Sequence, residues 1–154
     1  MVDPVFHEVE SDEPTVEQMR HHFLHVHQMD KVKVAAAIAN GVDRTMIFRS
    51  TKRGADKLVD QLDQIGVRAG AIHGDLRQAA REKALADFAS GKLKVLVATD
   101  VAARGLDIES VGLVVNYEVP RTLDTYVHRV GRTGRNESTG HALTLAEQIG
   151  RAHV

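Results

Sequence analysis

Leu93-Lys94-Val95-Leu96-Val97-Ala98-Thr99-Asp100 is the stretch on which the fold turns. It is apolar almost throughout as far as Ala98, then ends in a hydroxyl and a carboxylate. A strand with one wet face alternates apolar and polar residues, whereas a near-continuous apolar run belongs to a strand buried on both faces. Such a strand needs helices above and below it. The preceding residues supply one: Asp75 can cap a helix that runs to about Ala89, with Leu76, Ala80, Ala84, Leu85 and Phe88 as its buried side and Gly91 as its stop. Asp75 and Gln78 also have the spacing of a capping box.

Further out the alternation continues. Strands are expected over 22–27, 45–49, 67–72, 111–117 and 141–145. Helices are expected over 30–40, with Val32, Val34, Ala35 and Ile38 inward, over 52–65, with Ala55, Leu58, Val59, Leu62 and Ile65 inward, and over 122–130. Strands alternating with helices imply right-handed crossovers and a parallel sheet covered on both faces, an α/β architecture. Ligands of such sheets bind at the carboxyl ends of the strands. Ser50-Thr51, His73-Gly74-Asp75, Thr99-Asp100 and the residues from Asn116 to Pro120 fall at those ends.

Composition sets the bounds. A length of 154 residues, 43% hydrophobic and 27% charged, fits about one globular domain. Residues 1–15 are rich in Asp, Glu and Pro and read as a linker or extended lead-in, with room for a short strand at 5–9; residues 16–154 form the domain. Cys is absent, which removes disulfides and thiolate metal sites and fits a reducing, cytoplasmic setting. No apolar run approaches the roughly 20 residues that span a bilayer. A net charge of -1 gives no bulk argument for nucleic acid, so any such binding needs bases gathered on one face. His21, His22, His25 and His27 invite a metal, and His25 and His27 would share one strand face, but with no Cys and no carboxylate at suitable spacing no metal site is expected.

Four stretches carry chemistry. In Arg49-Ser50-Thr51-Lys52-Arg53, hydroxyls and bases meet a helix N-terminus, which suits phosphate; an ordinary N-cap accounts for the hydroxyls equally well. In His73-Gly74-Asp75-Leu76-Arg77-Gln78-Ala79-Ala80-Arg81, two arginines one turn apart sit near a helix start, where the dipole disfavours them unless an anion compensates. Thr99-Asp100-Val101-Ala102-Ala103-Arg104-Gly105-Leu106-Asp107 offers small residues, a charge and an acceptor suited to a ribose hydroxyl, or one helical turn capped by Asp100 and closed by Gly105. Tyr126-Val127-His128-Arg129-Val130-Gly131-Arg132-Thr133-Gly134-Arg135 repeats Arg every third position with glycines between, either a helix end with complementary charge or a site for a polyanion.

The last two stretches resemble hallmark motifs of DEAD-box ATP-dependent RNA helicases. The likeness extends through 46–56, Gln78-x-x-Arg81 and Val114-Val115-Asn116-Tyr117-Glu118-Val119-Pro120, covering about residues 20–145. The resemblance implies the C-terminal domain of two, a RecA-like three-layer α/β/α sandwich with a mainly parallel sheet. It implies that Arg132 and Arg135 are arginine fingers for ATP held by an N-terminal lobe, with Asp107 and Gly105 at the nucleotide. His128 and Arg129 would couple the lobes, and Thr51, Gly74, Gln78, Arg81, Thr99 and Arg104 would line the RNA sugar-phosphate path. ATP and RNA are thus the implied ligands, with Mg2+ held by the other lobe, and no membrane partner; nothing specifies an oligomeric state. Arg77 stands where the family usually has a small hydroxyl residue, as a further phosphate contact or a solvated charge, and Asn136-Glu137-Ser138-Thr139 intervene where a glycine is usual. The chain contains no G-x-x-x-x-G-K-S/T loop and no Asp-Glu-Ala-Asp box, so the phosphate-binding parts are expected on the other lobe, and the isolated chain is expected to be inactive. A DNA-directed motor of the same superfamily and a non-catalytic binding module are the alternatives; His128 argues against the first, since related DNA helicases more often carry Gln there.

Overall fold

Strand side chains point alternately to the two faces of a sheet, and here both sets are apolar, so the sheet must be a middle layer. The computed structural model describes residues 19–104, 111–130 and 140–147. Within them lie β1 (Met19–Val26), α1 (Lys31–Asn40), β2 (Thr45–Phe48), α2 (Lys52–Gln64), β3 (Ala69–Ile72), α3 (Gln78–Ser90), β4 (Val95–Ala98), α4 (Asp100–Ala103), β5 (Leu113–Asn116), α5 (Leu123–Val130) and β6 (Gly140–Glu147). The strands form one sheet in the order β1-β6-β5-β2-β4-β3, and every neighbouring pair is parallel.

Alternation divides the core. Ile47, Val95, Val97, Leu113 and Val115 meet Ala35, Ala36 and Ala39 of α1 and Ala55, Leu58 and Leu62 of α2. Their neighbours Met46, Phe48, Leu96, Ala98 and Val114 meet Phe88 of α3 and Ala102 and Ala103 of α4. The result is the expected α/β/α sandwich. β4 lies between β2 and β3, with all four of its residues buried, as its apolar run requires.

Several local expectations need correction. β1 begins at Met19 and ends at Val26, so His27 lies outside the strand and shares no strand face with His25. Its Nδ1 instead accepts the Met29 N–H at 3.1 Å and caps a short 3-10 turn over Gln28–Asp30. Asp30 then sits at the N-cap of α1 without a capping hydrogen bond from its side chain. α3 starts at Gln78, not Asp75, and its N-cap is Arg77. Asp75 is held in the preceding turn, where its N–H donates to His73 Nδ1 at 3.2 Å and its carboxylate pairs with Lys52 at 3.0 Å. Gln78 donates to Glu82 instead of closing a capping box. On α3 only Phe88 is fully buried and Ala80 is exposed, while Ile65, at the C-cap of α2, is 50% exposed.

One cluster fixes the loop after β2. Arg49 donates to Glu118 Oε2 from Nε (3.1 Å) and Nη2 (2.8 Å), and to the Gly54 carbonyl from Nη1 (3.2 Å). Gly54 cannot readily carry a side chain: a Cβ there would lie 2.9 Å from Thr51 Oγ1 and 3.0 Å from the Arg49 guanidinium. Arg49 also lies over the Tyr117 ring, 4.5 Å from its centre, and Lys31 lies over it at 5.1 Å while donating to the Tyr117 carbonyl at 2.8 Å. Burial lowers the Lys31 ammonium below its ordinary value, against the raising pull of Glu118 and Glu147. Burial also raises the Tyr117 phenol, with Arg49 opposing and Glu118 adding to the effect.

The Tyr117 shift gives a signed expectation. Folding favours the neutral phenol, so this contribution to stability is complete below about pH 10 and is lost as pH rises through the raised pKa of Tyr117. The chain has 2 tyrosines, so a Tyr126→Phe variant leaves Tyr117 alone to be titrated by phenolate absorbance. Its midpoint should lie above the ordinary value and drop to that value in urea; a midpoint at or below the ordinary value contradicts the buried placement.

Candidate nucleotide and nucleic-acid interface

The carboxyl ends of four strands deliver polar residues to one edge of the sheet. β2 leads into Arg49, Ser50 and Thr51, β3 into His73 and Gly74, β4 into Thr99 and Asp100, and β5 ends on Asn116 before Tyr117 and Glu118. α5 then crosses this edge. Its side chains three residues apart, Tyr126 and Arg129, are both buried, so they mark its inward face.

Arg129 is the centre of the edge. It is only 4% exposed. Its Nε and Nη2 donate to the two carboxylate oxygens of Asp100, each at 2.8 Å, and its Nη1 donates to Asn116 Oδ1 at 2.9 Å. Its guanidinium lies 5.1 Å from the centre of the Phe48 ring. A planar fork meeting a carboxylate side-on is the strongest geometry available to such a pair. Asp100 therefore is not the cap of α4. It is the first residue of that helix, and its carboxylate turns toward Arg129. At the other end of the inward face, the Tyr126 hydroxyl bonds to His21 Nδ1 of β1. A cleft lined by Phe48, Asp100, Ala103, Arg104, Thr125, His128 and Arg129 opens beside this assembly.

The remaining candidates differ in what they offer. Thr51 is exposed, and its Oγ1 accepts the Gly54 N–H at 3.0 Å as the N-cap of α2. Capping occupies an acceptor site and leaves the hydroxyl proton free to donate, so the cap and the phosphate contact are compatible. Gly74 is exposed, with open space where a Cβ would stand. Gln78 and Arg104 are exposed, Arg81 is half-buried, and Thr99 is buried at the start of α4. His128 points outward and lies 3.5 Å from Asp124 one turn earlier. His73 has a defined tautomer: Nδ1 accepts from Asp75, so Nε2 carries the proton donated to Asp56 at 2.9 Å. Gly105 and Asp107, and Arg132 and Arg135, lie outside the described residues. Among the described residues no group of three or more His, Asp or Glu is arranged to hold a metal ion.

The Asp100, Asn116 and Phe48 environment of Arg129 is absent from the sequence reading. A polar residue closing an apolar strand, as Asn116 does, was the available signal, because a buried amide needs partners. Removing Arg129 strands the Asp100 carboxylate. Arg129→Ala should therefore cost about 3 kcal/mol of stability by urea unfolding, since Asp100 retains some access to water. Arg129→Lys, with a single ammonium in place of a fork, should recover less than half. A loss below about 1 kcal/mol for the alanine variant is inconsistent with this geometry.

Residues 27–137 match the model of the helicase conserved C-terminal domain family. Over 157 aligned residues the chain is 40% identical to the DEAD-box ATP-dependent RNA helicase CshA of Geobacillus kaustophilus, covering 99% of this chain and 34% of that protein. It is 50% identical over 114 residues to the mouse ATP-dependent RNA helicase DDX4, covering 74% of this chain and 16% of that one. The chain thus spans about a third of the first relative and about a sixth of the second. Among solved structures, the C-terminal domain of the DEAD-box protein Dbp5 superposes with a TM-score of 0.75 at 34% identity, covering 86% of this chain and 79% of that one. The yeast DEAD-box splicing factor Prp28 superposes with a TM-score of 0.80 at 30% identity, covering 96% and 36%. With the parallel sheet, the loaded edge and these likenesses together, the chain belongs to the helicase C-terminal domain family, as the RecA-like C-terminal lobe of a DEAD-box protein.

Proposed function

We propose that this lobe serves an ATP-dependent RNA helicase by gripping the RNA sugar-phosphate backbone and by supplying Arg132 and Arg135 to ATP held on an N-terminal lobe. The observation that carries the reading is the concentration of exposed donors at one sheet edge: Thr51, Gln78 and Arg104, with Gly74 leaving backbone within reach. Arg81 and Thr99 complete the path. Hydroxyl, amide and guanidinium donors lined along an edge with exposed backbone can follow a sugar-phosphate strand, and in this reading binding is largely independent of base sequence. Arg104 and Arg81, with no side-chain partner among the described residues, keep their guanidinium charge available to phosphate.

ATP supplies the phosphoryl group whose transfer to water drives the cycle, and Mg2+ would sit with it on the other lobe. Arg132 and Arg135 neutralise charge on the transferring group when the lobes close, and Asp107 accepts from the ribose hydroxyls beside Gly105. His128, exposed beside the cleft, meets the other lobe. Arg129, held by Asp100 and Asn116, couples the lobes by fixing the helix that leads to the arginines. Closure clamps RNA across the two lobes and bends one strand, and hydrolysis releases it. The lack of Cys supports a cytoplasmic setting.

In the full-length protein that carries this chain, Arg132→Ala and Arg135→Ala should each lower RNA-stimulated ATP turnover by at least about a hundredfold. RNA affinity should change by no more than a few-fold. Turnover at the unmodified level in both variants removes the finger assignment.

A further inference from the structure

Five neighbouring strands share a register row, Thr144, Asn116, Phe48, Ala98, Ile72, across β6, β5, β2, β4 and β3. Residues paired across parallel strands project to one face, so these five side chains form a single floor, and Arg129 lies on it above Phe48. Three of the five are apolar. Thr144 and Asn116 are the two that are not, and both are completely buried. Buried polar groups destabilise unless they are bonded, so their partners explain why they are there.

Those partners form a one-way chain. Arginine has no acceptor, so Asn116 must turn its Oδ1 toward Arg129. Its amide nitrogen then faces Thr144 and donates to Oγ1 at 3.1 Å. Arg129 thus sets the amide orientation, and Thr144 completes it by accepting the amide N–H that would otherwise be buried without a partner. Asp100 holds the Nε and Nη2 side of the fork, and Asn116 holds Nη1. With both in place the guanidinium cannot pivot about the Asp100 contact.

We propose that Thr144 and Asn116 act as positioning residues for Arg129, and through it set the end of α5 from which the Arg132 and Arg135 stretch departs. Thr144 lies on β6, beyond the 27–137 segment that matches the family model, so the proposal gives that strand a part in holding Arg129. The proposal rests on the reading of Arg132 and Arg135 given above.

The test compares Asn116→Leu, Asn116→Asp and Thr144→Val in the full-length protein. Asn116→Leu should lower the kcat of RNA-stimulated ATP hydrolysis about tenfold, the order expected for one hydrogen bond to a charged group, with the RNA concentration for half-stimulation nearly unchanged. Asn116→Asp keeps an acceptor facing Arg129 and lets the Thr144 hydroxyl donate instead, so it should retain at least half of the original kcat. Thr144→Val preserves shape and should fall between them; it carries the comparison if Asn116→Leu does not fold. Full kcat in Thr144→Val and any folded Asn116→Leu, or an Asn116→Asp variant as impaired as Asn116→Leu, overturns the proposal. Arg132→Ala in the same assay reports on the underlying reading separately. Should that variant keep its turnover, arginine-labelled protein still decides the relay: held Arg129 gives distinct, slowly exchanging Nη resonances. Their merging in Thr144→Val supports positioning by the relay, and their persistence overturns it.

Discussion

The bidentate pair between Asp100 and Arg129 is the contact on which the functional edge depends. It joins the first residue of α4, just after β4, to the last turn of α5, two segments 29 residues apart in sequence. The pair is stable there because the sheet has already excluded water from one side of it, while Asn116 takes the remaining donor. A charge buried beside an apolar floor must be matched closely or it costs several kcal/mol. That requirement converts a stability constraint into a positional one: α5 can dock in essentially one way.

The sheet makes such a site possible. Parallel strands bring all their carboxyl ends to one edge, and burial on both faces leaves those ends as the place where polar residues can emerge. Each end is then fixed by its own local network. Arg49, Glu118 and Gly54 fix the loop after β2; His73, Asp56 and Asp75 fix the turn after β3; Asp100 and Arg129 fix the turn after β4. These residues use their charges on one another. Thr51, Gly74, Gln78 and Arg104 are left exposed on that edge, where the proposed reading places RNA.

The layered fold was legible because a period of two with both phases apolar, as in 95–98, has few other readings. Helix starts were less so. Asp75 looks like a cap by spacing, but its N–H and carboxylate are drawn to His73 and Lys52, which are distant in sequence or set by the turn. His27 likewise leaves the strand to cap a turn. The candidate site was half legible: its proposed residues Thr51, Arg104 and Arg129 stand in the motif stretches, but the partners of Arg129 depend on strand register. Asn116 and Thr144 are 28 residues apart and become neighbours only once β5 and β6 pair. No local pattern encodes that.

In the proposed reading Arg132 and Arg135 address a phosphate that a second lobe holds. The most direct measurement is therefore ATP hydrolysis, with and without RNA, by the 154-residue chain alone and by the same chain joined to an ATP-binding lobe carrying the phosphate loop and acidic box. The account predicts no hydrolysis by the chain alone under either condition, and RNA-stimulated turnover by the joined protein that is lost with Arg132→Ala. RNA-stimulated hydrolysis by the chain alone would contradict it.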